Sequence, residues 1–169
     1  MEAAKLERLN ACRDAVLWVK TQTSIKEAWE NCERGDWMLW LAKRLNIDDK
    51  KLTMAKAMCA KQVEHLMKDK RSKDALPACF DYVNGKITRK QLTAYAAFAA
   101  AAFAAVDAAF AAAAAADADA DADAAFAAAY AAAYADDDDA KKSSLKKSAG
   151  ICRKYLTEEV LTKYRKLRI

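Results

Sequence analysis

The sequence predicts an all-α fold: a compact multi-helix domain of about eight helices, two of which form an Ala-rich helical hairpin. Three observations predict it. The 169 residues include only three Gly and one Pro, too few turn formers for a β-sandwich or barrel. Apolar residues recur three and four apart through most segments, the repeat of an α-helix. Two hydroxyl start signals stand before such runs: S-x-x-E at Ser24–Glu27 and T-x-x-Q at Thr88–Gln91. Each lets a side-chain oxygen and a backbone N–H satisfy one another at a helix N-terminus.

The elements follow in order. Leu6, Leu9, Val16 and Val19 make one stripe, which predicts a helix over residues 3–20, broken by "TQTS". Ser24 opens the next, through Ile25, Ala28, Trp29 and Cys32. In "ERGDWMLWLAKRL", Gly35 is expected to end that helix in a left-handed conformation, with Asp36 capping a helix through Trp37, Trp40, Leu41 and Leu45. "NIDD" at 46–49 is the next stop and start, followed by Leu52, Ala55, Cys59, Val63 and Leu66. Asp74 is expected as a cap with Pro77 in the first turn, where a missing N–H does no harm. That helix ends at Asn84-Gly85. Trp29, Trp37 and Trp40 are expected to anchor the N-terminal half.

Thr88 opens the Ala tract, and Ala is the best intrinsic helix former. Phe103, Val106 and Phe110 form one stripe, and Phe126, Tyr130 and Tyr134 a second. On one continuous helix those stripes would diverge by more than about 100°, so a reversal near residues 117–123 is expected, giving two Ala-faced helices. "DADAD" resembles the opening of a calcium loop, but from Asp117 the sixth position is Ala122 and the twelfth Ala128, where the loop needs Gly and Glu. The last helix is expected from about Ala140, with a restart at Thr157 or the glutamates after it. The organisation expected is one domain over residues 1–169: amphipathic helices in 1–86, the Ala-rich hairpin in 87–139 and basic helices in 140–169.

Charge is segregated along this organisation. Residues 1–94 carry a net of +6, residues 95–139 a net of −9 and residues 140–169 a net of +8. Such asymmetry suits a charged partner or an anion, or two basic segments that flank and neutralise an acidic arm. The bases are spread among acids, so nucleic-acid binding is not expected. Cys12, Cys32, Cys59, Cys79 and Cys152 show no C-x-x-C and are expected as buried thiols. With one histidine, His65, no metal site is expected. The chain carries no phosphate-binding Gly loop, nucleophile elbow or H-E-x-x-H, so neither a cofactor nor catalysis is expected. A strongly apolar run of about 18 residues is absent, as is a signal-peptide core, so a cytoplasmic protein without a membrane span is expected.

"NACRDAVLWV", "EAWENCERGDWMLWLAKRL", the later "MCAKQ", the long Ala/aromatic tract and the closing "ICRKYL" resemble the immunity-protein-five-like family of bacteria and their phages. The R-G-D-W-M-L-W block is the most specific part of the likeness. The resemblance implies an all-helical, non-enzymatic protein that neutralises a toxin or a defence component by stoichiometric binding, an immunity factor or a phage anti-defence protein. Two other functions fit the residues: a binder of a small anionic ligand such as a nucleotide signal, and a helical assembly protein with Ala faces joining copies of itself. The candidate partner-contacting residues are Arg34, Asp36, Lys43 and Arg44, with Asp117, Asp119, Asp121 and Asp123 of the tract.

Overall fold

The structure is a computed structural model and describes residues 2–62, 64, 70–95 and 138–167. It is all-α, as expected, with no strand among the described residues. The helices are α1 (Glu2–Arg8), α2 (Arg13–Lys20), α3 (Ile25–Asn31), α4 (Gly35–Arg44), α5 (Asp49–Lys61), α6 (Lys70–Val83), α7 (89–95) and α8 (Asp138–Lys166). The chain gathers into two compact units, one of Met1–Leu52 with Leu145–Ile169 and one of Thr53–Ser144. The reversal expected near 117–123, most of the expected Ala-rich hairpin and His65 fall outside the described residues.

In the first unit, helix ends are set by local chemistry. The single helix expected over 3–20 is two, because Asn10 takes a left-handed φ of 61°. Asn10 N–H donates to the Glu7 carbonyl and Ala11 N–H to the Leu6 carbonyl, both at 3.0 Å, which closes α1 in a Schellman turn. Asn46 repeats the device at the end of α4, with φ 51° and bonds from Asn46 N–H to Lys43 and from Ile47 N–H to Ala42. Asn tolerates this conformation better than other side-chain-bearing residues. The Ser24 cap forms as expected, accepting the Glu27 N–H at 3.1 Å. Glu27 reaches back to both the N–H (2.6 Å) and the hydroxyl of Thr23; these hydrogen bonds hold its carboxyl below the ordinary carboxylate value. Asp48 caps α5 by accepting the Lys51 N–H at 3.0 Å.

Gly35 does not end a helix in left-handed geometry. It is the first residue of α4, and the need for glycine comes from α8. A Cβ on Gly35 would lie 2.5 Å from Ser148 Cβ and 2.8 Å from the Ala149 nitrogen. Asp36 is accordingly not the cap but a first-turn residue of α4.

The restart expected at Thr157 is also absent, for α8 runs unbroken for 29 residues. The Thr157 hydroxyl donates to the Arg153 carbonyl at 2.6 Å, one turn back within the helix, instead of capping a new one. Leu145, Ala149, Cys152, Leu156, Val160 and Tyr164 lie buried along α8 at three- and four-residue steps. Leu6, Val16, Val19, Trp29, Leu39 and Leu45 of the same unit are buried as well. Each such Leu or Val contributes about 1.5–3 kcal/mol through removal from water.

Polar locks fix the register of α8. Tyr164 hydroxyl donates to the Glu2 carbonyl at 2.9 Å, and burial pushes its pKa well up. Arg153 donates to the Cys32 carbonyl at 2.7 Å. Glu159 accepts the Asp48 N–H at 2.9 Å and pairs with Lys51 and Lys163, each at 3.2 Å.

In the second unit, Ala57, Ala60, Leu76, Ala78, Cys79 and Leu92 form a buried cluster, with Phe80, Tyr82 and Ile87 packed against it. Helix α6 begins at Lys70, ahead of the cap expected at Asp74, so Pro77 sits inside the helix. Its exposed position places the missing hydrogen bond on the solvent side. Asn84-Gly85 stops α6 as expected: Gly85 has φ 74°, and Gly85 and Lys86 donate to Tyr82 and Asp81 at 2.9 and 2.8 Å. The Thr88–Gln91 box closes from both sides, at 2.8 Å from Thr88 N–H and 3.3 Å from Gln91 N–H.

Candidate functional site: a tryptophan-walled cavity

Helices α1 to α4 enclose a partly open cavity of about 430 Å³, within the size range of small-ligand sites. The turn between α1 and α2 supplies Asn10 and Cys12, α2 supplies Trp18 and Val19, α3 supplies Ile25 and Trp29, and α4 supplies Asp36, Trp37, Met38 and Trp40. All four tryptophans of the chain therefore line one space.

Each is held differently. Trp29 is buried, and its indole N–H donates to the Thr157 hydroxyl at 2.9 Å; that hydroxyl is itself oriented by the Arg153 carbonyl. Trp37 and Trp40 are half-buried, so of the three anchors expected only Trp29 belongs to the core. The Arg34 guanidinium stands 4.3 Å from the Trp37 ring centre, and Arg44 stands 5.7 Å from that of Trp40. Both distances are within cation–π range. Trp18 is half-buried, and its indole nitrogen is buried without a hydrogen-bond partner, which costs about 1–3 kcal/mol.

Arg34 also grips Asp36 with two bonds, Nε to Oδ1 at 2.9 Å and Nη2 to Oδ2 at 2.6 Å, the fork geometry that makes such pairs strong. Of the residues expected to contact a partner, Arg34, Asp36 and Arg44 are thus brought to the cavity or to the rings that wall it. Lys43 lies beside Arg44 on α4, half-buried and engaged within the fold. Asp117, Asp119, Asp121 and Asp123 lie outside the described residues.

The thiols separate into two kinds. None of the five cysteines forms a disulfide. Four are buried as expected, whereas Cys12 is exposed at the cavity, because it precedes α2 in the turn that Asn10 creates. Burial raises the pKa of Cys32, with Asp36 adding to the rise, so this thiol stays protonated and unreactive.

Sequence reasoning missed Trp18, Asn10 and Cys12 as neighbours of the α4 block. The available signal was density: the four tryptophans all fall between residues 18 and 40. Among the described residues, no group of three or more His, Cys, Asp or Glu is placed to hold a metal ion, and no helix is long and apolar enough to cross a membrane. No family model, curated protein or solved structure matches this chain.

Proposed function

We propose that this chain acts by binding: it is a stoichiometric inhibitor, of the immunity or phage anti-defence kind, that neutralises a toxin or host-defence protein in the cytoplasm. The observation that carries the reading is the convergence of all four tryptophans on one open cavity that Asp36 also lines, with Arg34 standing over Trp37 and Arg44 over Trp40. Trp and Arg are the residues most enriched among the few that dominate protein–protein binding energy, and they act from apolar pockets ringed by polar groups. Five cysteines without a disulfide suit a reducing compartment. A small anionic ligand is the less favoured reading, since the lining includes Asp36 and no Lys or Arg.

The test is recovery of an equimolar complex from the native host, with its mass read by native mass spectrometry. Trp37→Ala and Trp40→Ala should each weaken that complex by about 30-fold, the loss expected at a binding hot spot of about 2 kcal/mol. Complexes unaffected by either variant, or a chain that turns over a substrate, would remove the reading.

A further inference from the structure

The chemistry of the cavity narrows what can enter it. Its walls are indole rings and aliphatic groups, and among the described residues Asp36 is the only Asp, Glu, Lys, Arg or His in its lining. Both Asp36 oxygens are already engaged by Arg34, so the carboxylate is neutralised in place. An anion would find no base among the described lining residues; the guanidiniums nearest it are Arg34, already paired with Asp36, and Arg44 over Trp40. A cation would find no uncompensated carboxylate, and would approach rings of Trp37 and Trp40 that already carry guanidinium groups; the second positive charge would be repelled by the first. An uncharged aromatic ring meets neither obstacle. It can stack or pack edge-on against the indoles, an arrangement worth more than its buried area alone. The surroundings suit a ring held on a chain: exposed Asn10 and Cys12 and the ion-paired Asp36 supply a polar border to an apolar interior, the anatomy of an interface pocket.

We propose that this cavity is a socket for an uncharged planar aromatic ring, presented as a Tyr, Trp or Phe side chain by the protein the chain binds. The source of the ring rests on the inhibitor reading above; the preference for a neutral ring rests on the lining alone.

Cys12 supplies the assay. It is the one exposed thiol and it lines the cavity, while the other four are buried. Its alkylation by N-ethylmaleimide in the native, full chain therefore reports occupancy. N-acetyl-tryptophanamide and N-acetyl-tyrosinamide should slow that alkylation several-fold and saturably. Indole should do the same, whereas indole-3-acetate, tetramethylammonium and N-acetyl-lysinamide should leave the rate unchanged. Trp37→Leu and Trp40→Leu, each checked for native circular dichroism, should weaken the amides by about tenfold.

Absence of protection by both amides overturns the proposal, as does equal protection by the charged compounds or full protection in both Leu variants. Protection by indole but not by the amides overturns the side-chain source, while an equimolar protein complex would still stand. Protection by the amides in a chain that forms no protein complex supports the socket and removes the inhibitor reading.

Discussion

Gly35 and Gly150 should respond to the same substitution with opposite signs. Both lie in α-helices of the first unit, and each would gain one methyl group on replacement by Ala. At Gly35 the new carbon would sit 2.5 Å from Ser148 Cβ and 2.8 Å from the nitrogen of Ala149. Ordinary contact begins at 3.4 Å, so the deficit is 0.6–0.9 Å, and most of it is against backbone that no rotamer change can relieve. Helix α4 must move off α8, weakening the contact from the Cys152 thiol to the Gly35 carbonyl, 3.8 Å apart. Overpacking of this kind costs about 1–3 kcal/mol; with a backbone obstacle we expect the upper half, about 2–3 kcal/mol or roughly 4–12 °C in Tm for a chain of this size. At Gly150 the added carbon meets nothing within 4 Å. There the change only restricts the unfolded chain and improves helix propensity, so Gly150→Ala should stabilise by about 0.5–1 kcal/mol. Urea denaturation followed by circular dichroism at 222 nm measures both. A Gly35→Ala protein as stable as the parent would refute the close approach of α4 to α8, and a destabilised Gly150→Ala protein would refute the open space beside Gly150.

Four further outcomes follow from geometry already described. Thr157→Val leaves the Trp29 N–H buried without an acceptor and should cost about 1–3 kcal/mol in the same denaturation experiment. Asn46→Ala forces a side chain with no compensating polarity into φ 51° and should cost about 1 kcal/mol, while Asn46→Gly should be nearly neutral; equal losses would refute the left-handed cap. Burial pushes the Glu159 carboxyl up, but hydrogen bonds from Asp48 N–H, Lys163 and Lys51 outweigh it and hold the folded pKa below its ordinary value of 4.5. Its stabilisation is therefore present above that value and lost as pH falls through the lowered one, so Glu159→Gln should flatten the acid limb of a stability-against-pH curve. Thiol titration of the native chain with a chromogenic disulfide should show one fast group, Cys12, with the other four appearing on denaturation; four fast groups would contradict the burial.

Helix starts were legible in the sequence, because a hydroxyl cap and its partner lie three residues apart. Ser24 with Glu27 and Thr88 with Gln91 both formed where expected. Stops set by Asn84-Gly85 and by Asn46 were legible because Gly and Asn tolerate the left-handed conformation that ends a helix. Gly35 and Thr157 were misread because the demand on each comes from elsewhere in the fold. Gly35 reads as a stop, yet its missing side chain answers Ser148, far along the chain. Thr157 reads as a cap, yet its hydroxyl serves the Arg153 carbonyl behind it and Trp29 in α3. The candidate site divides in the same manner. Arg34 and Asp36 stand among the expected partner-contacting residues, and their pairing with one another follows from the fold. The cavity was not legible, because Trp18 and Trp29 reach it from two other helices, and the 11-residue spacing of Trp18, Trp29 and Trp40 has no meaning across the helix breaks between them.

The first unit is assembled from two stretches separated in sequence by residues 53–144, and this sets a timetable for its synthesis. At about 5–20 residues per second, synthesis of α1 to α4 is complete roughly 5–20 s before the ribosome begins residue 145. During that interval Trp29 has no Thr157 to bond, Gly35 has no Ser148 against it, and the Glu2 and Cys32 carbonyls await Tyr164 and Arg153. The tryptophan-rich surface is thus offered first to whatever waits at the tunnel exit, and only afterwards to its own last helix. This unit cannot complete its fold until residues 145–164 are made, so changes to codon speed within 53–144 should alter how long α1 to α4 wait without altering the finished fold.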